Sequence, residues 1–156
     1  MAKSTSEENN TRIAFYYRLF FLYVEPLSAL SGAICAGVYP SHYLAMTEKI
    51  PSESSWLPLG MHVGLRQLAN MYLLFALNEA LLLRITSDSR VWRALLLNLL
   101  IADLGHLYSL TPLGYQVYYE FWNWNAMDWG NVPFVYLGMT SRLSFLLGLG
   151  VKSKRD

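Results

Sequence analysis

Residues 91–113, VWRALLLNLLIADLGHLYSLTPL, constrain this chain more than any other stretch. A helix needs about 20 predominantly apolar residues to cross a bilayer, and this run supplies them. Asp103 and His106 interrupt it near the middle, three positions apart and so on one helical face. An ionisable side chain at that depth costs at least about 2.5–3.5 kcal/mol, so it faces a bundle interior, a partner or water. The chain must supply further helices to shelter these two groups.

Three more segments answer that need. Residues 13–38 form a run long enough to span, with Glu25 and Pro26 inside it. Proline lacks the amide proton and clashes with the carbonyl four residues back, that of Leu22, so a kink is expected there. Ser28, Ser31 and Gly32 come next, and small side chains permit close helix approach. Residues 61–84 form another span, carrying Asn70, Asn78 and Glu79, and residues 132–151 form the last, carrying Arg142. Pro40, Pro51, Pro58 and the SESS stretch mark 39–60 as a loop. Residues 115–131, YQVYYEFWNWNAMDWGN, are too polar to cross and too aromatic for a plain loop, which fits a segment lying at headgroup level. The expected fold class is therefore all-α, a polytopic membrane protein. It has four transmembrane helices in a bundle (13–38, 61–84, 91–113, 132–151), with the interfacial aromatic segment before the last.

Charge and composition narrow the partners. Residues are 54% hydrophobic and the net charge is +1, with no basic face or arm, which argues against nucleic acid. Cys35 is the single cysteine, so no internal disulfide or thiolate metal cluster can form. His42 and His62 sit in or beside the loop, far from His106, so no metal site is expected, and no cofactor motif occurs. With four spans, Lys3, Arg12, Arg18, Arg84, Arg90, Arg93, Lys152, Lys154 and Arg155 share one side, against Lys49 and Arg66 on the other. That excess marks the cytoplasmic side, placing a disordered tail (1–12) and a short tail (152–156) in the cytoplasm, flanking a transmembrane domain at 13–151. The sequon at Asn9 would then stay unglycosylated. The terminal KSKRD resembles the dilysine retrieval signal of endoplasmic-reticulum membrane proteins, which implies that compartment.

Rise along each helix places Glu25 and Glu79 at ~8–9 Å from the cytoplasmic ends, Asp103 and Arg142 at ~14–15 Å, and His106 and Asn70 at ~20 Å. Two carboxyls at one level out of water do not comfortably both ionise, so one of Glu25 and Glu79 should hold a proton and can act as a general acid. Asp103 can orient His106 as a proton-transfer group, and Arg142 can neutralise Asp103 or bind an anionic substrate group. The candidate catalytic residues are thus Glu25, Glu79, Asp103 and His106. Candidate substrate-binding residues are Asn70, Asn78 and Arg142, with Trp124, Asn125 and Asp128 as a lid over the bundle mouth. The competing reading makes the same groups interhelical glue, with Asp103–Arg142 a buried pair, and makes the Trp and Asn residues interfacial anchors.

Four segments, RLFFLYVEPLSALSGA, RQLANMYLLFALNEALLLR, RVWRALLLNLLIADLGHLYS and NWNAMDWGNVPFVYLG, resemble a family of small fungal integral membrane proteins, some of them near secondary-metabolite genes. The resemblance spans about residues 18–149. A looser one links the chain to sterol-isomerase-like (EXPERA) bundles and to fungal membrane-bound terpene cyclases, which use polar groups inside a helical bundle on lipophilic substrates. This chain has about half the spans of those cyclases and does not match their acidic motifs residue by residue, so no catalytic residue is carried over. The expected function is a proton-transfer enzyme, isomerase or cyclase in type, in contact with the lipid bilayer and acting on a lipophilic small molecule. The alternative is a non-catalytic accessory, scaffold or carrier for pathway enzymes.

Overall fold

The computed structural model describes residues 11–51 and 57–153. The Asn9 sequon, the SESS stretch, the expected disorder of residues 1–10 and the end of the KSKRD tail lie outside them. Three helical stretches are long and apolar enough to cross a membrane: α1 (Phe15–Val38), α3 (Leu59–Ile85) and Ser89–Leu113, most of which is α4 (Ser89–Ser109). Helix α2 (Pro40–Glu48) comes after α1, and α5 (Ala126–Asn131) and α6 (Pro133–Leu146) close the chain. The aromatic segment before α5 is a series of short 3₁₀ turns.

Two expectations need correction: Pro40 accounts for the first, and the turn at Gly148 and Gly150 (φ 83° and 70°), which ends α6 at Leu146, accounts for the second. The region 39–60 is not simply a loop, because Pro40 starts α2 instead of breaking it. At the first helical position the missing amide proton costs nothing. The expected fourth span, 132–151, is the shorter helix α6. Its 14 residues rise about 21 Å, against a hydrocarbon core of about 30 Å. Pro133 disfavours the helical conformation at the residue before it, and Val132 sits at φ −117°, so α5 ends and α6 begins anew. Helix α6 nonetheless returns the chain to the end where it began. There β1 (Thr11–Ile13) and β2 (Val151–Ser153) pair antiparallel, with Arg12 opposite Lys152.

The kink expected at Pro26 takes the form of a π-helical turn, Phe20–Val24, immediately before Glu25. Proline cannot donate to the Leu22 carbonyl, and the Arg84 guanidinium donates to that oxygen instead, at 3.2 Å. Helix α3 carries its own π turn, Asn78–Leu82, containing Glu79. The two π turns lie against each other, so each helix is re-aimed where its buried glutamate stands. At the other end of the same connection, Asp88 caps α4 by accepting from the Arg90 main chain at 2.8 Å. That bond and the Arg90 side chain hold the exposed Asp88 carboxyl below the usual carboxylate range.

The helices pack as two pairs, α1 on α3 and α4 on α6. An aromatic and aliphatic core joins the pairs near the chain ends, built on Tyr17, Phe21, Leu83, Trp92, Leu96 and Phe145. Phe145 meets Tyr17 edge-on at 5.2 Å and stacks on Trp92 at 5.7 Å. At the far end α2 and α5 close the gap. Lys49, in a left-handed conformation (φ 58°) at the end of α2, reaches Asp128 at 3.1 Å and the Asn123 carbonyl at 3.2 Å.

Close approach of α1 and α3 rests on glycine. A Cβ at Gly32 would lie 3.4 Å from the Tyr72 ring, and one at Gly37 3.1 Å from the Ala69 methyl. A leucine at Gly37 should therefore cost about 1–3 kcal/mol by overpacking. Gly64→Leu, where a Cβ meets nothing within 4 Å, should leave stability unchanged or slightly raised. Unfolding of the two variants in detergent measures the contrast, and equal stability would show that α1 and α3 are not so closely apposed.

Candidate functional site

Helices α1, α3, α4 and α6 each contribute one ionisable side chain to a single cluster. Arg142 of α6, 2% exposed, stands at its centre. Its Nη1 donates to Asp103 Oδ2 at 2.7 Å, and its Nη2 donates to Glu25 Oε1 and, at 3.3 Å, to Glu79 Oε1. Glu79 is 1% exposed. The planar fork of a guanidinium suits this arrangement, since it can present separate donors to separate carboxylates at once. Its carbon also lies 5.7 Å from the centre of the Phe21 ring.

Helical spacing explains how the groups converge. On α1, Glu25, Ser28, Gly32 and Cys35 follow one face in steps of 3, 4 and 3, on α4 Leu99, Asp103 and His106 in steps of 4 and 3, and on α3 Tyr72, Phe75 and Glu79 in steps of 3 and 4. These faces line a cavity of about 410 Å³ between the two helix pairs. The cluster forms one end of it, and Tyr43 of α2 with Met127 and Asn131 of α5 belong to the walls. Of the lining residues only Ser31, Ala126 and Gly130 are exposed. The cavity thus reaches the surface between α1 and α5, beside small side chains.

Hydrogen bonding within the site is incomplete. Glu25 Oε2, Glu79 Oε2, His106 Nε2 and Arg142 Nε are buried and have no partner. Such groups are uncommon in folded proteins and point to a ligand, water or ion that completes them. His106 lines the cavity, but Asp103 does not orient it. Asp103 is engaged by Arg142, and His106 Nε2 is buried without a partner.

The remaining sequence candidates fall elsewhere. Asn70 is exposed, and Asn78 is half-buried outside the cavity walls, one residue and so 100° from Glu79. Asn125 and Asp128 form a reciprocal capping box at the start of α5, and Asn125 also donates to the Met46 carbonyl at 2.7 Å. These bonds, with Lys49–Asp128, fasten α5 across the far end of the cavity. Trp124 donates to the Val117 carbonyl at 2.8 Å and, with Asp128, borders a separate pocket of about 160 Å³. Among the described residues no group of His, Cys, Asp and Glu is placed to hold a metal ion.

Sequence reasoning missed Tyr72, Tyr43 and Gly138. Tyr72 was findable, being seven residues from Glu79 on the same face. Gly138 lies one turn before Arg142, and a Cβ there would sit 2.5 Å from Arg142 Nη1 and 3.3 Å from Glu25 Oε1. Its hydrogen side chain makes room for the guanidinium to reach the carboxyls. Tyr43 lay hidden in the stretch that reads as a loop.

The fold and this cluster define a class of protein: a helical bundle with three helices long and apolar enough to cross a membrane, holding an acid–guanidinium cluster at one end of a cavity. The chain belongs to the family described as a domain of unknown function, DUF7704, whose model matches residues 10–152. No curated protein and no solved structure is similar to it.

Proposed function

We propose that this protein is a membrane-embedded proton-transfer enzyme, isomerase or cyclase in type, acting on a lipophilic metabolite that reaches the cavity from the bilayer. The observation that carries the reading is the excess of acid over base. Three buried carboxyls, Glu25, Glu79 and Asp103, share one guanidinium. A net charge there is costly, so the excess is best held as protons, which is the form a general acid needs. Free oxygens on Glu25 and Glu79 and a free nitrogen on His106 border one space.

In an isomerisation, a glutamic acid Oε2–H would add its proton to one carbon of a double bond. His106 Nε2 would remove a proton from a carbon adjacent to the resulting cation. The double bond shifts, and proton return from His106 to the glutamate resets the site. A dry pocket favours the first step because water would compete for the cation. Helix α6 would serve as the fourth crossing, with both chain ends cytoplasmic and the endoplasmic reticulum as the compartment. Asn9 should then remain unmodified, and a mobility shift on endoglycosidase treatment that Asn9→Gln abolishes would reverse the orientation.

The enzymatic reading is tested in microsomes containing the full chain and candidate lipophilic metabolites, with products tracked by mass spectrometry. Glu79→Gln and Glu25→Gln keep shape and hydrogen bonding but remove a transferable proton. At least one should fold and lose turnover by about 10²–10⁴-fold, and His106→Gln should slow it. Folded, correctly localised amide variants with full product formation would instead favour a carrier or scaffold.

A further inference from the structure

We propose that the cavity is a binding site for an amphiphile whose head group is a protonated primary amine. The inference names what the cavity of the proposed enzyme recognises, but it concerns binding and needs no turnover.

The cavity's free polar atoms are nearly all of one kind. Glu25 Oε2 and Glu79 Oε2 are acceptors when ionised. Neutral His106 with its proton on Nδ1 presents the unpartnered Nε2 as an acceptor as well. Arg142 Nε is the one donor left over among the orphaned atoms. A ligand that completes the site must bring hydrogen-bond donors. A carboxylate or phosphate head would bring more acceptors and more negative charge.

Charge balance separates an amine from an alcohol. Three carboxyls against one guanidinium leave room for a second cation: an ammonium beside Arg142 neutralises a second carboxylate, and the third keeps the proton that the acid step uses. A primary ammonium supplies positive charge and three donors in one compact group. An alcohol supplies one donor and no charge. The walls beyond the cluster set the rest of the ligand: Phe75, Phe134, Met127, Met46 and Tyr72 offer apolar and aromatic surface for a hydrocarbon body. The mouth of the cavity at Ser31 and Gly130 gives such a body a way in.

The test uses the full chain in neutral-lipid nanodiscs and saturable binding of tetradecylamine, tetradecyltrimethylammonium and tetradecanol. Empty nanodiscs measure simple partitioning. The primary amine should bind tightest, the quaternary ammonium more weakly because it has charge but no N–H donors, and the alcohol weakest. Glu79→Gln should weaken amine binding by about ten- to a hundredfold, the worth of a charge-assisted hydrogen bond. Alcohol binding as tight as amine binding, or amine binding no greater than in empty discs, would overturn the proposal. The wild-type comparison decides even if Glu79→Gln fails to fold. Amine binding without turnover of any metabolite would remove the enzymatic reading and leave this one standing.

Discussion

A guanidinium taken out of water must find anions within reach, and in this chain four helices are arranged to provide them. Desolvating Arg142 alone would cost several kcal/mol, more than most single contacts return. Glu25, Glu79 and Asp103 come from three different helices, so satisfying Arg142 ties α6 to α1, α3 and α4 at one point. The other special features of the bundle serve that point. Two π turns re-aim α1 and α3, Gly138 clears the space beside the guanidinium, and Phe21 covers it.

The cluster also explains why the bundle is not closely packed throughout. Two helix pairs meet tightly only at their ends, through the aromatic core around Trp92 and through the α2–α5 bonds of Lys49 and Asn125. Between these the pairs stand apart, and the space is bounded by acid at one end and apolar side chains along its length. Filling it with side chains would have been simple for a structural bundle. Leaving it open while burying unpartnered carboxyl and imidazole atoms is characteristic of a site that completes itself with a ligand.

Much of this was legible in the sequence because hydropathy and charge act along the chain. The three long spans, the weak point at Pro26 and the convergence of Glu25 and Glu79 at one depth come from counting residues and rise. Helix α2 was misread because proline has two meanings. Within a run it stops a helix, as before Pro133, and at a first turn it starts one, as at Pro40. Helix α6 stops short of its apolar run because Gly148 and Gly150 turn the chain. The partner of His106 was misassigned for a different reason. Spacing along one helix favours Asp103, but that carboxylate is taken by Arg142, the pairing that their matched depth also suggests. Contacts between helices are set by rotation and tilt, which a linear pattern does not contain, and Gly138 signifies nothing until Arg142 is seen beside it.

Unfolding stability in detergent, measured for Arg142→Leu alone and with its carboxyl partners removed in turn, tests the central claim most directly. If one guanidinium holds three helices through three carboxyls, Arg142→Leu should cost about 3–5 kcal/mol, since it strands buried acid. Adding Asp103→Leu should recover only part of that loss, and further recovery should require Glu25→Gln and Glu79→Gln as well. Full recovery with Asp103→Leu alone would reduce the cluster to a simple pair. An Arg142→Leu chain as stable as the parent would show that the bundle does not depend on it.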